Sequence, residues 1–330
     1  MSVSNINQND TIAIKAAIET VAVYDRSHWG RIKVSGDDRL RFLHNQSTND
    51  FQSLKPGQGC DTVFVTSTAR TIDLATAYIK DDAVLLMVSP NRREYLMQWL
   101  DKYIFFADKV ELSDITEETA AFNLIGPQSQ AIIQELGVTL LETDNSNQVY
   151  NILTVETLIA VGSGLALPGY TLIFPVVHKD TIWNKLVKIG AVAMKETAWE
   201  TLRIMQGRPV PEKELTEDYN PLEVGLWQTI SFTKGCYIGQ ETIARLNTYK
   251  GVKTYLWGIK LNNYADPGSQ IYVEEEKVGT LTSITETTEG YYGLGYIRKQ
   301  AGGIGTKVRI AENEGEIIEI PFVSHKYPES

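Results

Sequence analysis

The densest group of chemistry-capable residues in the chain is Lys234-Gly235-Cys236-Tyr237-Ile238-Gly239-Gln240-Glu241-Thr242. Two glycines within five residues read as a tight loop, and the apolar spacing from Gln240 through Ile243 and Leu246 predicts a helix starting there. Such a loop delivers Cys236 close to a helix N-terminus with Lys234 beside it. The helix dipole and the ammonium both favour thiolate, which is the setting of a reactive thiol or a soft-metal ligand. The same spacing suits a small buried side chain in a structural turn equally well.

Two isolated carboxylates are the other candidates. Glu223 stands in Asn220-Pro221-Leu222-Glu223-Val224-Gly225-Leu226, where Asn-Pro favours extended or turn backbone and the rest reads as an apolar strand. An acid there is either paired with a cation, with Arg203 or Arg208 of the preceding Leu202–Pro209 segment as partners, or aimed at a ligand's N–H donors. Pairing is the simpler expectation. Asp73 is the one acid in Thr71-Ile72-Asp73-Leu74-Ala75, and strand alternation puts it on the face of Thr71 and Ala75. It either exchanges a proton with a cleft-bound ligand or caps a turn.

Several standard sites are absent from the sequence: the phosphate loop, the G-x-G-x-x-G dinucleotide turn, the H-E-x-x-H zinc helix and the G-x-S-x-G nucleophile elbow. His28, His44, His178 and His325 are scattered, none at ligand spacing from another His or a Cys, so no preformed metal site is expected.

The elements that must position these residues belong to an ordinary globular chain. Its 330 residues are 43% hydrophobic and 22% charged, which excludes wholesale disorder and leaves room for two domains. Against 31 Lys and Arg stand 41 Asp and Glu, a net charge of −10, so no direct nucleic-acid binding is expected. The longest apolar run, Ala83–Val88, is too short to span a bilayer, and the polar N-terminus carries no secretory signal. Cys60 and Cys236 lie far apart, which fits a reducing, cytoplasmic address with no disulfide framework.

Residues 1–9 read as a flexible tail, and Asp10 as the N-cap of a short helix to about Thr20. A strand over Trp29–Gly36 precedes a helix capped by Asp37, a hairpin over Gln58–Ile79, a strand over Val84–Val88 and an amphipathic helix over Asn91–Tyr103. That helix has Tyr95, Leu96, Trp99 and Leu100 as its stripe. The pattern then restarts: a strand from Ala121, a helix over Ser129–Leu136, strands near Leu153–Leu158 and Tyr170–Val176, and helices over Lys179–Ile189 and Ala193–Arg203. Beyond Gly251 only short alternating strands remain (Tyr255–Leu261, Gln270–Val273, Lys277–Thr285, Tyr291–Ile297, Lys307–Ile310), which predicts a small β-barrel. The reading is an α+β body over residues 10–250, with subdomains roughly 24–115 and 116–250, followed by a barrel over 251–330.

Together these segments resemble the glycine-cleavage T-protein superfamily of folate-binding proteins, and most closely its YgfZ-type branch, associated with assembly or repair of iron–sulfur clusters. Gly30–Arg39 with Phe42-Leu43 and Ser47–Asp50, then Leu202–Pro209 with Asn220–Leu226, carry the likeness. Lys234–Glu241 matches the branch's K-G-C-[FY]-x-G-Q-E signature. Pro267-Gly268, Gly279 and Gly293–Tyr296 resemble the superfamily's last domain.

The resemblance implies related α+β subdomains around a central channel holding tetrahydrofolate or a one-carbon-substituted form, pterin inside and glutamate tail toward solvent. It implies a pterin contact for Glu223 and a proton-handling place near the folate for Asp73. Arg203, Lys234, Tyr237 and Gln240 join them as expected cofactor-binding residues, and Cys236 is the expected functional thiol. T-protein enzymes usually show two adjacent acids where this chain has Asp73 alone, and an Arg where it has Lys253. The expected function is therefore a folate-binding accessory factor acting on iron–sulfur client or assembly proteins. Aminomethyl transfer, or a non-catalytic binding module, is the alternative. A single motif cysteine does not hold a cluster unaided.

Overall fold

The computed structural model describes residues 7–139 and 143–327. The chain opens with helix α1 (Gln8–Glu19) and strand β1 (Ala22–Asp25). A first unit follows: β2 (Gly30–Ser35), α2 (Arg39–Gln46), β3 (Gly59–Val65), β4 (Thr71–Ile79), β5 (Ala83–Val88), α3 (Arg93–Asp101) and β6 (Glu111–Asp114). The second unit repeats the order: β7 (Thr119–Ile125), α4 (Ser129–Glu135), β8 (Asn147–Ile152), β9 (Val155–Val161), β10 (Gly169–Pro175), α5 (Lys179–Lys188) and β11 (Val192–Met194). The sheets repeat as well. The first runs β3-β4-β5-β2-β6 and the second β8-β9-β10-β7-β1-β11, the same order with β1 inserted before the last strand. The twofold pattern read from the sequence is thus a duplicated topology.

The two sheets face each other. On β5, Val84, Leu86 and Val88 pack with α2 and α3 side chains such as Phe42, Leu96 and Leu100, whereas Leu85 and Met87 point the other way. There they meet Tyr24, Ala121, Leu158 and Ile173 of the second sheet and Trp199. The far face of the second sheet is closed by Ile132 and Ile133 of α4 and Ile182 and Leu186 of α5. Helices, sheet, sheet, helices is the layering. It explains why Ala83–Val88 is apolar at every position: both faces are buried.

Helix α6 (Glu196–Gln206), the short α7 (Pro221–Val224) and α8 (Gln240–Thr248) lead to the closed barrel. The barrel comprises β12 (Thr254–Leu261), β13 (Gln270–Val273), β14 (Glu276–Thr287), β15 (Gly290–Arg298), β16 (Lys307–Ile310) and β17 (Asn313–Ile318). The expected class, an α+β body with a small terminal β-barrel, is the architecture found.

Local expectations differ at five places. Asn7, not Asp10, caps α1, its side chain accepting from the Asn9 N–H at 3.0 Å; of the expected tail, residues 1–6 lie outside the described residues. Asp38, not Asp37, precedes α2 and makes no side-chain cap. Tyr95 is exposed because α3 is buried through Leu96, Trp99 and Leu100. Leu153 and Thr154 are the turn between β8 and β9, both at positive φ, where a strand was expected. Asn220–Leu226 is a one-turn helix, because Asn220 and Glu223 cap it reciprocally.

Candidate functional site

Between the two sheets apolar packing gives way to a cavity of about 860 Å³. Its floor comes from inward positions of the first sheet, Asp61 on β3 and Thr76 and Tyr78 on β4, with Cys60 at its border. The Gly162–Gly169 loop between β9 and β10 and the Pro127–Gln130 turn before α4 form the opposite wall, with Thr171 on β10. Arg26, Asn49, Gln228 and Phe322 complete it.

The floor is polar and electrostatically unusual, against a wall that includes Leu165, Leu167 and Phe322. Asp61 accepts from the Thr76 hydroxyl at 2.6 Å. Burial raises its pKa, against the pull of that bond and of Arg208 and Arg26. Burial likewise lifts the Tyr78 hydroxyl to about 12 and pushes the Cys60 thiol up. Arg26 and Arg208 are both buried, at 2% and 3% exposure, and both lie on the indole of Trp29. Their guanidinium carbons stand 3.6 Å and 5.1 Å from its ring centre. Burial lowers both pKa values, that of Arg208 to about 9.

None of the residues singled out from the sequence lines this cavity. Asp73 is fully buried beside it, accepting from the Leu74 N–H at 2.9 Å, the Ser89 N–H at 2.9 Å and the Ser89 hydroxyl at 2.7 Å. A bulge breaks the expected shared face with Thr71, since Phe64 opposes Asp73 and Val65 opposes Thr71, while the register from Asp73 to Ala75 is regular. Burial raises the Asp73 pKa to about 6. Glu223 accepts from Asn220, at 3.0 Å from the backbone N–H and 2.6 Å from the side-chain amide. Its nearest cation is Arg70 at 3.8 Å, not Arg203 or Arg208.

Arg203 is buried on α6 with its donors engaged. It donates to both Glu200 carboxylate oxygens at 2.6 Å, to Glu214 at 3.1 Å, to the Arg208 carbonyl at 3.2 Å and to the Ser283 hydroxyl at 3.0 Å.

The cysteine motif is a built loop. The Lys234 ammonium donates to the carbonyls of His44 at 2.5 Å, Ser47 at 2.6 Å and Asn49 at 2.7 Å. Burial draws its pKa down to about 7, while three acceptors around one nitrogen match the three donors of an ammonium. Tyr237 lies over that ammonium with its ring centre 4.4 Å away. The Ile238 N–H donates to Asn45, and Gly239 at φ +81° sits where an added Cβ would meet the Thr66 carbonyl at 2.9 Å. Gln240 opens α8. Within this frame Cys236 is exposed. The loop is pinned through Lys234 to the segment ending at Asn49, a cavity-lining residue.

Sequence reasoning missed Arg26, Asp61, Thr76 and Tyr78. The signal for Asp61, Thr76 and Tyr78 was the alternation itself, polar side chains at strand positions whose parity turns them toward the partner sheet; Arg26 follows β1 and carried no such signal. Among the described residues no group of three His, Cys, Asp or Glu is placed to hold a metal ion.

Comparison with known proteins follows this geometry. Residues 7–234 match the GCVT N-terminal domain family. The chloroplastic "putative transferase" of Arabidopsis thaliana is 48% identical over 327 residues, covering 98% of this chain and 76% of that protein. An aminomethyltransferase of Desulforamulus reducens is 28% identical, covering 94% and 89%. The glycine cleavage system aminomethyltransferase T of Bartonella henselae shares the fold, with a TM-score of 0.84 at 18% identity over 97% of this chain and 91% of that one. A domain match over most of the chain and a relative nearly half identical along it lead to one assignment: the protein belongs to the GCVT N-terminal domain family of the glycine-cleavage T-protein superfamily.

Proposed function

We propose that this chain binds a reduced folate in the cavity between its two sheets and serves as an accessory factor for iron–sulfur proteins, with Cys236 as its working thiol. The observation that carries the reading is the cavity, large enough for a folate-sized ligand, with an aromatic and aliphatic wall and a few convergent polar groups. Asp61 and Asn49 offer acceptors to a pterin's N–H donors, and Tyr78 and Phe322 offer flat apolar contact. In this reading Lys234, Tyr237 and Gln240 hold the loop that presents Cys236, Glu223 and Arg203 shape the segment behind the folate, and Asp73 tunes the cavity's charge. An exposed thiol framed by pinned neighbours is suited to meeting a protein partner, an iron–sulfur client or assembly protein, in a reducing compartment such as the cytoplasm.

Aminomethyl transfer to tetrahydrofolate is the second reading. It is favoured by relatives that carry the name aminomethyltransferase and match nearly the full chain. Against it, Asp73, the acid expected to assist, has both carboxylate oxygens occupied inside the protein.

Calorimetric titration with tetrahydrofolate tests the first reading. Saturable binding that weakens at least tenfold in Asp61→Ala and survives in Cys236→Ser is expected, with Cys236→Ser failing to restore iron–sulfur enzyme activity in a deficient cell. Absence of binding removes the folate role, and full complementation by Cys236→Ser removes the thiol role. Turnover with an aminomethylated lipoyl carrier would transfer the assignment to the second reading.

A further inference from the structure

Arg26 and Arg208 are two buried guanidiniums with donors left unmatched. Both are more than nine-tenths buried, both rest on the same face-forming indole of Trp29, and the Nε of each is buried without a hydrogen-bond partner. Neither takes part in an ion pair among the described residues, although Arg203 nearby takes two carboxylates. Asp61, with one oxygen on Thr76, and Asp73, with both oxygens on Leu74 and Ser89, are near enough to act on both arginines electrostatically but form no direct ion pair with either. An indole attracts a guanidinium through its face but offers no acceptor to the N–H edge. Two buried guanidiniums that make no direct ion pair leave N–H donors unmatched, and a partner from outside the chain can satisfy them.

The surroundings leave room for that supplement. Arg26 lines the cavity, and Arg208 lies 5.4 Å from the ring centre of Phe322, itself on the cavity wall. Opposite, Gly164 stands at φ +74°, where a Cβ would come within 2.6 Å of Arg26 Nη1, so the loop closes on the guanidinium only because it has no side chain there.

We propose that Arg26 and Arg208 form an inner oxyanion seat, taking a carboxylate or phosphate group of the small molecule bound in the cavity. The seat rests on the reading of this cavity as a ligand site, and it assigns the ligand an anionic end that points inward. A guanidinium pair recognises the two or three coplanar oxygens of such a group through bidentate hydrogen bonds, which Lys or a neutral donor would not reproduce.

The test uses the full-length chain, with thermal unfolding followed in glutarate or inorganic phosphate at constant ionic strength set by chloride. The wild type is expected to gain several degrees in Tm with saturation. A gain from phosphate alone assigns a phosphorylated ligand, and one from glutarate alone a carboxylate. Arg26→Met and Arg208→Met are expected to unfold no lower than the wild type without anion, and to lose the gain. Arg26→Lys keeps the charge and is expected to keep only part of it, which serves if a Met variant does not fold. No anion-induced gain in the wild type, an undiminished gain in the variants, or Met variants that fold but unfold well below the wild type overturns the proposal. Tetrahydrofolate separates the two assignments. Anion binding without tetrahydrofolate binding retains the seat and removes folate, whereas tetrahydrofolate binding with no anion effect removes the seat and retains folate.

Discussion

At the scale of single residues, the two cysteines are opposites. Cys236 is exposed on a pinned loop, and Cys60 packs against the apolar cluster between the first sheet and its helices with its thiol pKa raised by burial. Alkylation of the native protein should therefore show one fast thiol that disappears in Cys236→Ser. Cys60 should react far more slowly, with the cavity filled or empty; peptide mass spectrometry reads both. Asp73 makes a pH prediction. Its folded pKa of about 6 lies above its unfolded value, so the native state binds the extra proton and stability falls as pH rises between about 4 and 6. A shift of that size is worth roughly 3 kcal/mol. Urea unfolding at pH 4.5 and 7.5 should show this loss in the wild type and a clearly smaller one in Asp73→Asn. An equal pH slope in both would mean that Asp73 ionises as a solvent-facing acid does.

At the scale of elements, the Lys234–Glu241 segment was legible as a glycine loop opening a helix, and α8 does start at Gln240. The use of Lys234 was not legible, because its partners are three carbonyls more than 180 residues away in sequence. Lys234→Met leaves those acceptors without their donor, and unpaired buried carbonyls cost about 1–3 kcal/mol each. We expect an unfolding free energy lower by about 3 kcal/mol or more, together with a Cys236 whose reaction rate with alkylating reagents changes because the loop is released. Unaltered stability would mean that the ammonium is dispensable. The Asn220–Leu226 segment teaches the converse. Its apolar composition reads as strand, yet the capping pair Asn220 and Glu223, three residues apart and straddling Pro221, was a helix signal written in the sequence.

At the scale of the molecule, the barrel is tied to the body by shared apolar clusters and by a buried polar network. Glu214 accepts from Arg203 at 3.1 Å on α6 and from Ser283 at 2.6 Å and Thr282 at 2.8 Å on β14, and the Tyr296 hydroxyl of β15 donates to its carbonyl at 2.7 Å. Arg203→Met strands a fully buried carboxylate, a change that costs roughly 3–5 kcal/mol. Hydrogen exchange should show the loss first at the α6–β14 contact, with protection inside the first sheet retained. Uniform loss across the chain would mean that barrel and body unfold as one unit. No helix among the described residues is long and apolar enough to cross a membrane.

The sequence by itself determined what depends on near neighbours. The helical and alternating periods, the glycine turns, the repeated order of elements and the barrel-like end follow from local sterics and from which positions are apolar. It also held the residues of the motif, whose spacing is its content. Only the tertiary structure decided which polar side chains meet. Facing two sheets across one interface turns Asp61, Thr76, Tyr78 and Thr171 into the walls of a single cavity, and it inserts β1 into the second sheet rather than the first. It buries Arg203 and Lys234 as fasteners and leaves Arg26 and Arg208 together with no direct ion pair among the described residues. Periodicity states that a residue points inward, but the chemistry it meets there is set by chain segments a hundred or more residues distant.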